Sequence, residues 1–433
     1  MIRTPITAVL AAVLLDLATL PAPALAYLPV EVNAIVSNRP ESLPPSCPGI
    51  VLASQRLIRL SAGGGAMKED HLFEVVGAGR PAGPLRIRWT YRPGIEEIKT
   101  IDARVYRLSG EISPIPADSI RTEPCFAAGP KGYPGISDFV VAIPDPVPGD
   151  LVEIHTSGME APMMEPQYYA GEEHFAEADS VVEAELSIRF PTVLPLLTWR
   201  LGDIPEPDPI THGTTFEAHW LLGHLSPAGT VHRALVSHVV ANAPDSLGPS
   251  GVLFGYRNTW SGAVFARAYL WKRALRESPP ELVTAAHEIL GTTQDPGGRA
   301  DSAIAWVNRR LERVDIPTAR LWYAPARLQA VLDRGAAIPR DRAAVLVWLL
   351  QRVGVGADAA MVRSHGRFIA DLAFPQQLDA WVVRARLANG AERWIDMRPP
   401  DVAARDSLQA GQAVLWTARG EDDPLVPFPG VAR

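Results

Sequence analysis

The spacing of apolar residues changes once along this chain of 433 residues, and that change constrains the fold more than any other feature. Up to about residue 225, apolar and polar residues alternate, as they do in 85–91 and 182–188, which is the period of a half-buried β-strand. Beyond residue 260 the apolar residues recur at helical spacing. A chain of this length usually forms more than one core. The sequence therefore predicts a strand-rich domain followed by a domain that contains helices.

The strand-rich part has further short strand patterns at 139–143, 151–154 and 215–220, and Pro148-Gly149-Asp150 marks a turn between two of them. The 41 prolines of the chain favour short strands joined by fixed turns. These features predict an antiparallel β-sandwich over residues 66–250. Residues 27–65, which are rich in proline and serine, form a lead-in segment.

The second part has helical patterns at 265–277, 280–290, 301–313 and 340–353. The last of these has a broad apolar face and ends at Gly354, the residue type that favours the position after a helix. Strand patterns follow at 359–362 and 380–387, and Asn389-Gly390 is a hairpin signal that leads into 393–396. Helices followed by an antiparallel sheet indicate an α+β domain, which we place at 251–420 with a tail at 421–433.

The N-terminus has the features of an export signal. Arg3 supplies a positive charge, Ala8–Leu20 is apolar, and Ala24-Leu25-Ala26 is a small-residue cleavage site. Asp16 interrupts the apolar run, and an uncleaved anchor, the alternative, needs about 20 apolar residues to span a bilayer. We expect residues 1–26 to be a signal peptide and the mature protein to be periplasmic or secreted, with no transmembrane segment after cleavage.

Charge and histidine content exclude two classes of function. The net charge is −7 and no basic block occurs, which argues against a nucleic-acid partner. Five histidines fall in a short window but lack the helical pairing and the cysteine or acidic partners of zinc sites, so we expect surface histidines, no metal and no cofactor. These histidines are His212, His219, His224, His232 and His238.

Three segments of the second part resemble transglutaminase-like domains. Val331–Leu346 resembles their nucleophile segment, in which a loop Gly-Asp-Cys-Lys-Asp-Lys-Ala leads into a buried helix, and Asp341-Arg342-Ala343 matches the residues after the cysteine. Asp379–Arg384 resembles the His-Ala-Trp-Val strand, and Trp394–Pro399 resembles the Trp-x-Asp-Pro-Thr element. Upstream, the strands around Gly149-Asp150 resemble a β-sandwich domain of unknown function that often precedes such domains in exported bacterial proteins.

The resemblance implies a triad at Pro339, Asp379 and Asp396, and two of its three positions have changed. Acyl transfer in the family needs a thiolate, a histidine that takes its proton and a carboxylate that orients the histidine. Pro339 has no nucleophile, Asp379 replaces the histidine, and only Asp396 is retained. The resemblance therefore implies a non-enzyme, a binding or scaffold module for a peptide, protein or polysaccharide of the cell envelope.

Two enzymatic alternatives stay open at this point. Asp379 and Asp396 could form a carboxylate pair of an envelope hydrolase, and a residual transglutaminase or peptidase activity is the other alternative. A two-residue turn at Asn389-Gly390 would place Asp396 opposite Val383, with both carboxylates on one face of the sheet. They would lie about 13 Å apart at the strand rise, beyond the ~9.5 Å limit for an inverting pair.

The only two cysteines, Cys47 and Cys125, are predicted to form a disulfide because the count is even and the compartment is oxidising. Two free thiols are the alternative. A bridge that closes this loop of 125 − 47 = 78 residues stabilises a fold by about 4 kcal/mol in the chain-entropy model. Peptide mapping of the exported protein without reductant should find the two cysteine peptides linked, and free thiols at both positions would contradict the prediction.

Overall fold

The computed structural model describes residues 32, 35, 43 and 45–431, except for several internal gaps. The gaps are 63–64, 94–95, 108, 110, 125–136, 161–169, 176–178, 194–195, 227–230, 235–237, 241–250, 257–258, 315–323, 365–367, 372, 374, 376–377, 388–389, 399–407, 409 and 418–423. The predicted signal peptide and Cys125 lie outside the described residues, so export and the disulfide stay predictions.

The chain divides into two compact units, residues 1–126 with 132–256 and residues 127–131 with 257–433. The described residues include no helix that is both long and apolar enough to cross a bilayer.

From residue 45 onwards, the described part of the first unit contains strands and one short 3₁₀ turn at Ala117–Ser119. Its strands are β1 Gly49–Leu60, β2 Ala66–Val76, β3 Leu85–Tyr91, β4 Glu96–Tyr106, β5 Ile112–Pro114, β6 Ile120–Pro124, β7 Ser137–Ile143, β8 Leu151–Glu160, β9 Ala170–His174, β10 Ser180–Pro191, β11 Leu196–Leu201, β12 Asp208–His212, β13 Thr215–Leu225, β14 Val231–Ala234, β15 His238–Val240 and β16 Gly251–Tyr256.

These strands form three sheets, which is more than the two of the predicted sandwich. The sheets have the orders β12-β13-β10-β1-β2-β8-β4-β5, β15-β14-β3-β7-β6 and β11-β16-β9. Most pairs are antiparallel as predicted, but β1 pairs with β10, and β3 with β14, in parallel. The core contains Ile58 and Leu186 of the eight-stranded sheet together with Trp89 and Val141 of the five-stranded sheet. The period-two pattern thus buries alternate residues between sheets.

The second unit is an α+β fold, as predicted. Its helices are α1 Trp260–Leu275, α2 Pro280–Thr292, α3 Pro296–Arg310, α4 Leu328–Arg334 and α5 Pro339–Arg352, and its strands are β17 Glu312–Arg313, β18 Ala336–Ala337, β19 Gly356–Val362, β20 Ala380–Arg386, β21 Glu392–Asp396, β22 Gly411–Leu415 and β23 Leu425–Phe428. The main sheet is antiparallel, in the order β21-β20-β19-β22-β23, and β17 pairs with β18 in parallel.

Helix α5 is the centre of the second unit. All of its residues from Arg340 to Leu350 are buried, and it contacts β19 and β20 on one side and helices on the other. Trp381 of β20 also packs on Trp271 of α1, with ring centroids 5.3 Å apart. We predicted one broad buried face for this helix, whereas residues 340–350 are buried on every side.

The predicted register of the β20–β21 hairpin was wrong by one residue. Leu387 N donates to Ala391 O at 2.9 Å, so the loop has three residues, and Gly390 takes the left-handed conformation with φ of 78°. Glycine at that position is the usual end of a three-residue hairpin loop. Asp396 therefore lies opposite Val382 rather than Val383.

A buried charge cluster in the first unit generates a pH prediction. The Arg92 guanidinium lies between Glu96 and Glu160, with Nη2 donating to Glu160 Oε1 at 2.6 Å. Burial, together with the charge of Glu96, raises the pKa of Glu160 to about 7, against the opposing effect of Arg92. Because its folded pKa lies above the unfolded one, Glu160 binds a proton more tightly in the folded state, and its contribution to stability is lost as pH rises towards 7.

The free energy of unfolding of the wild type should fall by on the order of 2 kcal/mol as Glu160 loses its proton. This fall should be absent in Glu160→Gln. Denaturant melts of the wild type and the variant between about pH 5 and pH 8 measure it. Glu97→Gln, at an exposed position on β4, is the matched control. Parallel curves for the wild type and Glu160→Gln would contradict the prediction.

Candidate functional site

Pro339 is the first residue of α5, one residue before the predicted start of this helix. Ile338 before it is extended, with φ of −69° and ψ of 161°, the conformation that a following proline favours. The missing N–H of a proline at the first helical position costs little because that donor has no helical acceptor. A helix start would also favour a thiolate, but the half-buried pyrrolidine ring provides no nucleophile.

The next two residues form a buried ion pair. Arg340 and Asp341 are 1% and 0% exposed, and Arg340 Nε donates to Asp341 Oδ1 at 2.8 Å. The same oxygen accepts from Ala326 N at 3.0 Å. Burial raises the pKa of Asp341 to about 7 and lowers that of Arg340 to about 9. The pair fixes the chain before α4 to the first turn of α5.

Arg342, the residue after Asp341, is fully buried. It shares a hydrogen-bond acceptor with Arg313 of β17. Arg342 Nη2 donates to Asn308 Oδ1 at 2.6 Å, and Arg313 Nη2 donates to the same oxygen at 2.8 Å. Arg342 Nη1 also donates to Leu311 O. Burial, and secondarily the charge of Arg313, lowers the pKa of Arg342 to about 10. Two guanidinium groups thus share one amide oxygen.

Asp396, at the end of β21, is held by an arginine rather than by a histidine. Arg398 Nε and Nη2 donate to its Oδ2 at 3.0 and 2.8 Å, and Arg398 N donates to Oδ1 at 2.9 Å. Arg313 Nη1 donates to Arg398 O at 3.0 Å, which links this pair to the start of α5. The carboxylate that the resemblance assigns to orienting a base is therefore part of a group of arginines.

Asp379 lies directly before β20, and its carboxylate contacts the β19 side of the sheet rather than β21. Its carboxylate accepts from Ser364 N at 2.6 Å and Ser364 Oγ at 2.7 Å, on the side of β19. Asp396 lies opposite Val382, whereas Asp379 lies outside β20, one residue before it begins. The register from which we expected the two carboxylates to share a face was therefore wrong, and the carboxylate-pair alternative loses that argument.

The sequence did not predict Asn308, Arg313 and Arg398 as partners of the site. Asp341-Arg342-Ala343 was noted only as a family match. A usable signal was present, since three charged residues directly before a long apolar run must become buried if the helix is covered on all sides.

The other singled-out residues lie in the first unit. His219 Nε2 is 3.0 Å from Glu185 Oε1, and His212 Nε2 is 3.6 Å from Glu217 Oε2. In the described part of the chain, no three side chains of metal-ligating type lie together. Cys47 is a half-buried thiol that donates to Gly49 O at 3.0 Å.

A comparison with protein-family models matches residues 85–228 to DUF3857, a domain of unknown function with a solved structure. The matched segment runs from β3 to just beyond β13 of the first unit. No curated protein matches the chain.

Among solved structures, a Parabacteroides distasonis protein that was provisionally named a protease has a TM-score of 0.67 and 18% sequence identity, over 86% of this chain and 71% of that one. This likeness shows a shared fold. An M1 zinc metallopeptidase from Deinococcus radiodurans (TM-score 0.25, 10% identity, 48% of this chain and 42% of that one) and Legionella pneumophila aminopeptidase A (0.25, 11%, 72% and 34%) superpose too poorly to inform the site.

We expect Asp341→Asn to destabilise the protein by about 3 kcal/mol, because it leaves the Arg340 charge buried without its partner. Adding Arg340→Met should recover most of the loss, since neither charge of the pair remains and the amide still accepts from Ala326 N. Asp333→Asn, at an exposed position on α4, is the control. Denaturant unfolding measures all three, and equal stability of Asp341→Asn and Asp333→Asn would contradict a structural ion pair.

Proposed function

We propose that the second unit is a transglutaminase-like domain that has lost its chemistry and serves as a binding or scaffold module in the cell envelope. The support is the order of its elements. A loop leads into a buried helix, and two hairpin strands follow with Asp379 and Asp396 at the positions that the resemblance implies. The fold shared with a provisionally named protease agrees with such a domain and says nothing about activity.

One observation carries the proposal, namely that Pro339 occupies the first position of α5 where the family places its thiolate. The neighbouring chain offers no substitute, because residues 335–343 contain no cysteine, serine or threonine. The two following side chains are committed to their own ion pair. Asp396 is occupied by Arg398, so the third position would not orient a base either.

The predicted export signal is consistent with a location in the envelope, where peptides and polysaccharides are available as ligands. In this proposal the chain binds a peptide or a polysaccharide without catalysing a reaction on it. Loss of a nucleophile leaves the residual catalysis of a binding site at most.

The test compares the wild type with Pro339→Cys combined with Asp379→His. The wild type should incorporate no amine donor into an acceptor protein and hydrolyse no peptide. The half-buried position 339 should yield a thiol that iodoacetamide alkylates with a pKa below the usual ~8.5, because it lies at a helix N-terminus. Mass mapping separates this thiol from Cys47, and Arg309→Cys, exposed at the end of α3, is the matched control thiol.

Amine incorporation by the wild type that Asp379→Ala abolishes would overturn the non-enzyme proposal. If the engineered thiol has the same pKa as the control thiol, the assignment of position 339 to the nucleophile is contradicted. The proposal that the wild type is inactive is not affected by that result.

A further inference from the structure

Three arginines gather beside one carboxylate at the start of α5. We call this group the arginine cluster; it consists of Arg313, Arg342 and Arg398 with Asn308 and Asp396. The bonds given above join its members directly, because Asn308 Oδ1 accepts from two of the arginines and Asp396 from the third.

The charges of the cluster do not balance. Asp396 is engaged by Arg398 through both Nε and Nη2. The hydrogen bonds of Arg313 and Arg342 go to neutral oxygens of Asn308, Leu311 and Arg398. Among the described residues, neither of these two guanidinium groups has a carboxylate within ion-pair distance. Among the described members of the cluster, three guanidinium groups therefore accompany one carboxylate.

Arg342 supplies a second, independent observation. Its side chain is 0% exposed, and its Nε is buried with no hydrogen-bond partner in the described part of the protein. Buried guanidinium groups are normally paired and have all their donors satisfied. Solvent reaches the cluster, since Asn308 is exposed and Arg313 is half-buried. The cluster therefore combines an unused buried donor, an excess of positive charge and an open side.

We propose that the arginine cluster is a binding site for the carboxylate group of a small ligand, on the side of Arg313 and Arg342. The planar fork of a guanidinium fits the two oxygens of a carboxylate. Arg398 illustrates this on Asp396, with Nε 3.2 Å from Oδ1 and Nη2 2.8 Å from Oδ2. This inference rests on the proposed function, because it names the chemistry that the binding module would recognise.

The experiment is calorimetric titration of the mature protein in a chloride buffer that contains no carboxylate. The probes are N-acetylalanine and glucuronate, which distinguish a peptide source from a sugar source, each beside its neutral counterpart, N-acetylalaninamide or glucose. At least one charged probe should bind and its neutral counterpart should not.

Arg313→Gln should weaken that binding about tenfold or more, because a charge-assisted hydrogen bond is lost. Arg313→Lys should retain part of the affinity, since it keeps the charge but loses the fork. Arg309→Gln, an exposed arginine four residues away, should bind like the wild type. Thermal melts confirm that each variant is folded, and the fully buried Arg342 is left unchanged for that reason.

Absence of binding by the wild type, or equal affinity of the wild type and a folded Arg313→Gln, would overturn the inference. Either result leaves the non-enzyme proposal intact, because turnover is measured separately. Conversely, turnover by the wild type would contradict the proposed function without affecting the titration.

Discussion

The burial of α5 on all sides is the constraint on which the second unit depends. A helix that is covered by a sheet on one face and by other helices on the opposite face cannot expose the charged residues of its first turn. Arg340, Asp341 and Arg342 are therefore held by protein groups instead of by water, and the cost of removing them from water is offset by pairing and by carbonyl acceptors.

Buried ion pairs recur in both units. Lys68 and Glu173 join two sheets of the first unit, with Nζ 2.9 Å from Oε1. Arg92, directly after β3 of the five-stranded sheet, pairs with Glu160 of β8 in the eight-stranded sheet. Such pairs add little net stability compared with apolar residues, but breaking one leaves an unpaired buried charge. We therefore regard these buried ion pairs as contacts that specify which strands and turns pack together.

The sequence predicted several element types because periodicity is a local property. The strands near 85–91 and 139–143, the helix that begins at 280 and the hairpin between 380 and 396 all follow from patterns of a few residues. The lead-in segment predicted at 27–65 was wrong in part, because it contains β1. The register of that hairpin was missed because Asn389-Gly390 fits a two-residue turn equally well, and only the observed bond from Leu387 to Ala391 decides between them. The arginine cluster could not be predicted, since Arg313, Arg342 and Arg398 meet only through tertiary packing.

The burial of Arg340–Leu350 makes the first turn of α5 part of the structural core. Native-state hydrogen exchange of the backbone amides in α5 tests this most directly. The amide of Arg342, which donates to Ile338 O at 3.0 Å, should exchange only through global unfolding, with the same protection as the amides in the middle of the helix. Fast exchange at the first turn, beside a protected remainder of α5, would show a locally open site and contradict the account.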